Sequence, residues 1–281
     1  LDSADADKNF YWTQPISGSK YYFPYIHLLD DDVTEYLLGN MAATTDKNYT
    51  RKKAQKVYTW QADPLIDSEM NAIEDQNWRD TYKRIAALNA IIASADEMRP
   101  MEIDPTAVDR IQGEAYFLRA QYYFWLANIY GLPYCKATAT TDGCVPLKVS
   151  EAVEDRYFER SSCQEVYSQM MADLRKSADL LRGKQQSTKY RTCQDAAFAL
   201  MSRISLYMED YEAAVAYADS VIKKNHALLD LNKYKLGDNA VYASSTETLF
   251  THGANIMAVL HAPAVKYGAN YTSSGYSSSH D

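Results

Sequence analysis

Hydrophobic residues recur through the middle of the chain at alternating steps of three and four. From Pro105 onward, Val108, Ile111, Ala115, Leu118, Tyr122, Trp125 and Ile129 form one apolar stripe. Phe117, Ala120, Phe124 and Ala127 form a second on another face. That spacing predicts a helix over 107–130, and a helix apolar on two faces lies between neighbours rather than at the surface. The aromatic rings crowded into "EAYFLRAQYYFWLANIYGLPY" are therefore expected in the core, with Phe117, Tyr122, Phe124 and Trp125 shielded from solvent. Gly131 and Pro133 end the pattern.

Three further segments carry the helical period. Trp78, Tyr82, Ile85, Asn89 and Ile92 make a seam from about Asp75 to Asp96, in which Asn89 is expected as a structural hydrogen-bonder. "SSCQEVYSQMMADLRKSADLLRG" places Ser162 at an N-cap with Glu165 three residues on, a capping box, and Gly183 as the stop. Its stripe is Tyr167, Met171, Leu174, Ala178 and Leu181, with the methionines as core filler. In "CQDAAFALMSRISLYMEDYEAAVAYADSVIKK", Ala197, Leu200, Ile204 and Tyr207 precede "EDY", and Ala214, Ala218 and Val221 follow it. Small residues at those positions let two antiparallel helices approach closely, and the unit resembles a tetratricopeptide repeat, whose stacked copies need neighbours to bury their faces.

The period fails in two places. Residues 39–74 form a long insertion, and long loops in compact domains are usually functional or disordered. From Leu228 onward only "ETLFTHGA" suggests a strand, before the polar tail "YTSSGYSSSHD". The expected fold is all-α: a tetratricopeptide-like helical-hairpin scaffold with long loops and little strand. Residues 1–281 are read as one domain, with a candidate ligand loop at 39–74, the hairpin helices at 107–226 and an irregular segment at 227–281.

At 281 residues and 47% hydrophobic, the chain can bury a sizeable core. A net charge of −8 with no basic stripe argues against a nucleic-acid partner. No run reaches the roughly 18 apolar residues of a membrane-spanning helix. Neither a G-x-S-x-G, an H-E-x-x-H nor a P-loop occurs, so no cofactor is implied. Glycoside hydrolysis needs two carboxylates at a fixed separation in a cleft, which scattered acids do not establish. Asp30, Asp31 and Asp32 fit a helix N-terminus, which favours negative charge, better than a calcium loop, whose glycine and terminal glutamate are missing. The cysteines have no metal spacing. Cys135 and Cys144 bracket the turn-like "KATATTDG", and either a disulfide or two small buried hydrophobes fits them. Cys163 and Cys193 sit near helix starts and are expected to pack.

The order of motifs resembles the SusD/RagB family of outer-membrane nutrient-binding lipoproteins. "NWRDTYKRIAALNAIIASAD" is similar to the family's W-x3-Y-x2-I-x3-N helix, and "GEAYFLRAQYYFWLANIYGLPY" followed by "GCVPL" is similar to its most specific signature. "RSSCQEVYSQMMADL", "AAFALMSRISLYMEDYEAAVAYADSVI" and "TETLF" follow in the family's order, and the opening "LDSADAD" looks like the segment after its lipidated cysteine. The resemblance implies a helical scaffold packed against a TonB-dependent outer-membrane transporter of the SusC type, a lipid anchor at the cell surface, glycan capture for import, and no catalysis. Two departures stand out. Family members run to about twice this length, so some helix face is expected to be apolar and covered by further chain. The lipidated cysteine is absent, so the anchor is inferred from the resemblance alone.

A sugar offers an apolar C–H face and a rim of hydroxyls, so its site needs an exposed aromatic plane with polar groups at the edge. Tyr58 and Trp60 in the long insertion are two apart, which in an extended segment puts both rings on one side. Asn48, Arg51, Gln61 and Asp63 are polar candidates nearby, and Tyr267, Tyr271 and Tyr276 form a second group. A second reading has Trp60 pinning the loop to the body. The rival functions are a peptide-capturing member of RagB type, a helical repeat scaffold that binds only protein and, furthest off, a glycoside hydrolase.

Overall fold

The computed structural model describes residues 33–35, 56–66, 69–72, 75–101, 104–224, 228–233, 245–251 and 265–267. These fall into two compact units, one built from 81–229 with 245–251, the other from 33–35, 56–80, 230–233 and 265–267. The elements in chain order are strand β1 (Val33–Glu35), helices α1 (Gln76–Met98), α2 (Pro105–Tyr130), α3 (Cys163–Leu180), α4 (Gln194–Tyr207) and α5 (Tyr211–Ile222), a short 3-10 turn (Leu231–Lys233), and strand β2 (Val265–Tyr267).

The first unit is a stack of helices centred on α2, which matches the expected all-α scaffold. Asp104 caps α2 by accepting from the Thr106 N–H at 2.9 Å, and Pro105 occupies the first turn, where its missing N–H costs nothing. The Gly131 N–H closes the far end on the Ala127 carbonyl at 2.9 Å. Phe117, Tyr122, Tyr123 and Phe124 are buried as expected. Trp125, expected to be shielded from solvent, is only half-buried, its ring edge-on to Tyr122 at 5.6 Å. At Gly113 a Cβ would lie 2.9 Å from Leu181 Cγ and 3.1 Å from Leu180 Cβ, so the absent side chain lets the end of α3 cross α2 closely.

Ser162 and Glu165 form the predicted capping box of α3, and Gly183, with φ +69, follows the Leu181 cap. The hairpin of α4 and α5 turns through Glu209, whose φ is 58, and Asp210 caps α5 by accepting from the Ala213 N–H at 3.1 Å. Phe198 and Tyr217 stack across it at 6.3 Å. Of α5, Ala214 is buried, while Tyr211, Val215 and Ile222 are exposed and recur at helical spacing.

Two expectations fail. "ETLF" is not a strand: residues 245–251 are irregular and reach the helices by single contacts. The Thr251 N–H donates to the Lys189 carbonyl at 2.8 Å, Gln186 Nε2 to the Leu249 carbonyl at 2.7 Å, and Phe250 packs on Phe117 at 5.1 Å. Among the described residues, no second strand offers this segment a ladder. In the second unit, residues 33–35 pair antiparallel with β2, Val33 opposite Tyr267, in place of a helix start. β-branched Val33 and Thr34 favour that ladder. Asp30, Asp31 and Asp32 lie outside the described residues.

Cys135 and Cys144, expected either as a disulfide or as two small buried hydrophobes, differ in burial. All four cysteines are free thiols, Cys135 exposed and Cys144 buried. The intervening residues wind into a turn, with the Thr138 and Ala139 N–H groups both donating to the Cys135 carbonyl at 3.0 and 2.8 Å, and the two thiols face different surroundings.

Candidate functional site

Residues 56–58 are helical, the Trp60 N–H donates to the Val57 carbonyl at 3.1 Å, and the Gln61 N–H to the Lys56 carbonyl at 2.9 Å. A helical turn with this closure is not the extended segment that the two-residue spacing presumed, so Tyr58 and Trp60 do not share a side by strand alternation. Tyr58 is half-buried. Trp60 is 71% exposed and sits at φ 54, in the left-handed region that bulky residues rarely enter. Val57, on the same turn, is buried at 3% exposure.

Around Trp60 the polar candidates divide. Asp63 is exposed, its carbonyl accepting from the Ile66 N–H at 3.3 Å. The Gln61 amide folds back onto the Thr59 carbonyl at 3.0 Å. An exposed indole offers a plane for the C–H face of a sugar, and an exposed carboxylate three residues on offers acceptors for its hydroxyls. Asn48, Arg51, Tyr271 and Tyr276 lie outside the described residues, and Tyr267 is placed only by its backbone in β2.

A second exposed aromatic site escaped the sequence reading. It lies on the connection from α2 to α3, which the helical stack holds by its backbone. Tyr82 donates to the Pro146 carbonyl at 2.7 Å, and Asn89 Nδ2 to the carbonyls of Lys148 and Ser150 at 3.0 and 3.1 Å. Tyr123 donates to the Lys148 carbonyl at 2.7 Å and accepts from its N–H at 2.8 Å. Asn89 is thus the structural hydrogen-bonder its place in the seam suggested. Behind it Arg119 makes a two-pronged pair with Asp173 at 2.8 and 2.7 Å and donates to Asn89 Oδ1 at 2.8 Å. Past this anchor, Lys148 and Arg156 both pair with Glu154, and together they hold its carboxyl below the usual range. Arg156 lies 4.3 Å from the Phe158 ring centroid. Beside this charged cluster Tyr157 is fully exposed. The only sequence trace was the pair "YF" set between Arg156 and Arg160 in a segment without period.

Among the described residues, no group of His, Cys, Asp or Glu is placed to hold a metal ion, and no helix is long and apolar enough to cross a membrane.

A family model described as SusD-like, starch-binding and associating with the outer membrane, matches residues 24–206. SusD-like protein P2 of Formosa agariphila is 26% identical over 250 residues, covering 87% of this chain and 43% of its own length. Among solved structures, a SusD superfamily protein from Bacteroides thetaiotaomicron aligns with a TM-score of 0.65 at 22% identity, over 89% of this chain and 52% of that one. A SusD-like carbohydrate-binding protein from Bacteroides vulgatus aligns at 0.60 and 19%, over 89% and 50%. A laminarin-binding SusD-like protein aligns at 0.53 and 16%, over 80% and 42%. At these identities the structural likeness establishes the fold, and the chain spans about half the length of these relatives.

Proposed function

The chain belongs to the SusD-like family, and from that premise we propose that it captures oligosaccharide or polysaccharide at the outer membrane and delivers it to a TonB-dependent transporter. It does so as a surface lipoprotein and without cleaving the glycan. The observation that carries the reading is Trp60, an indole 71% exposed on a strained backbone, with Asp63 exposed three residues on. Strain of this kind persists where the surroundings over-determine it, and it clusters at ligand sites. The family's starch-binding description and the laminarin-binding neighbour support glycan as the ligand class.

Affinity electrophoresis in gels containing starch or laminarin, beside a ligand-free gel, tests this. Wild-type chain is expected to be retarded by one of the glycans, and Trp60→Ala to lose the retardation with its unfolding midpoint nearly unchanged. Loss of binding together with a drop of many degrees in the midpoint would make Trp60 a structural anchor. Binding to a peptide library but to no glycan would favour the RagB-type alternative.

The domain reading goes with this function. Residues 1–281 are taken as the N-terminal part of a longer SusD-like domain, and the exposed Tyr211, Val215 and Ile222 face of α5 is where further chain packs. The half-length match to the relatives and the exposure of that face support it.

A further inference from the structure

Two of the four thiols are set as a pair. Gly143 and Ser162 face each other in an isolated antiparallel bridge, flanked by the Cys144 N–H on the Ser161 carbonyl and the Cys163 N–H on the Asp142 carbonyl, both at 2.8 Å. Cys144 and Cys163 each lie one step beyond that facing pair, Cys163 as the first residue of α3, and both are fully buried. Both sulfurs also meet the corner that ends α2: a Cβ on Gly131 would lie 2.8 Å from Cys144 Sγ, and Cys163 Sγ is 3.5 Å from the Leu132 carbonyl oxygen. Burial first, and the neighbouring Cys163 thiol after it, push the Cys144 thiol up.

We propose that Cys144 and Cys163 form a disulfide when the chain folds in an oxidising compartment. The reaction is thiol–disulfide exchange with a disulfide oxidant, either a small molecule or a protein. One cysteine thiolate attacks the oxidant's disulfide and releases its first thiol. The other then attacks the mixed disulfide, forming the Cys144–Cys163 bond and releasing the second thiol. The two cysteines lose two electrons to the oxidant, and their protons end on the released thiols. Burial pushes the Cys144 thiol up to about 12, so in the finished fold it is a poor nucleophile. The bond therefore forms during folding, before the corner closes, and afterwards resists mild reductants.

Trypsin separates the four cysteines into four peptides, 120–136, 137–148, 161–175 and 192–203. The chain is refolded with oxidised glutathione, alkylated in denaturant and digested without reduction. The expected result is peptide 137–148 linked to 161–175, with the masses short of two hydrogens, and Cys135 alkylated. Cys135→Ser should leave that link intact. Oxidised wild type should unfold at a higher temperature than the reduced chain, and Cys163→Ser should show no such difference. Alkylation of both Cys144 and Cys163, or a link from Cys144 to Cys135 or Cys193, overturns the proposal. Since the readout is a mass, its failure leaves the glycan reading untouched.

Discussion

At the scale of single residues, burial and chemistry part company in the aromatic set. Tyr82, Tyr123 and Tyr167 lie where burial pushes their phenols above the ordinary value of 10, and each keeps its neutral form when folded. In the unfolded chain they ionise normally, so above pH 10 the unfolded state holds fewer protons than the folded one. Their stabilisation is complete below pH 10 and is lost as pH climbs toward the raised folded values, at up to about 1.4 kcal/mol per pH unit for each group. Urea denaturation at pH 8 and 10.5 should show this fall, and tyrosinate absorbance should lag until the chain unfolds. The apolar stripes announced which rings are inside. They carried nothing about the left-handed φ of Trp60, which no periodicity encodes, and nothing about Tyr157, which lies in a segment without period.

Among elements, ends and faces were legible where a local rule sets them. Ser162 with Glu165, and Gly131 after Tyr130, follow from chemistry within a few residues. β1 was not legible, since its partner β2 is far along the chain. Equally hidden was the Arg119–Asp173 pair, which joins α2 to α3 with side chains 4% and 1% exposed. Sequence spacing cannot show that two charges on different helices meet. Removing one partner strands the other in the core, so Asp173→Ala should cost about 3–5 kcal/mol in chemical denaturation. The double variant Arg119→Leu/Asp173→Leu should cost less than the two single losses added together, because no charge is left unpaired. Additive losses would mean that the two do not act as a pair.

For the molecule as a whole, the helical stack presents α5 with one residue buried and an apolar face open. Val215→Glu/Ile222→Glu should reduce binding of a hydrophobic dye by the 281-residue chain while leaving its unfolding midpoint nearly unchanged. A midpoint that falls steeply would mean the face is already covered. The segment at 245–251 has a different consequence, one of timing. Helix pairs such as α4 and α5 meet through neighbours in the chain, whereas Phe250 reaches Phe117 across more than a hundred residues and Leu249 reaches Gln186 across 63. Contacts at such separation demand loop closure before they return any free energy, so they form late. The segment then works as a latch on the way out rather than a nucleus on the way in: Phe250→Ala should leave the refolding rate almost untouched and speed unfolding. The half-life of the folded chain would thus be set by a stretch that contributes no helix or strand.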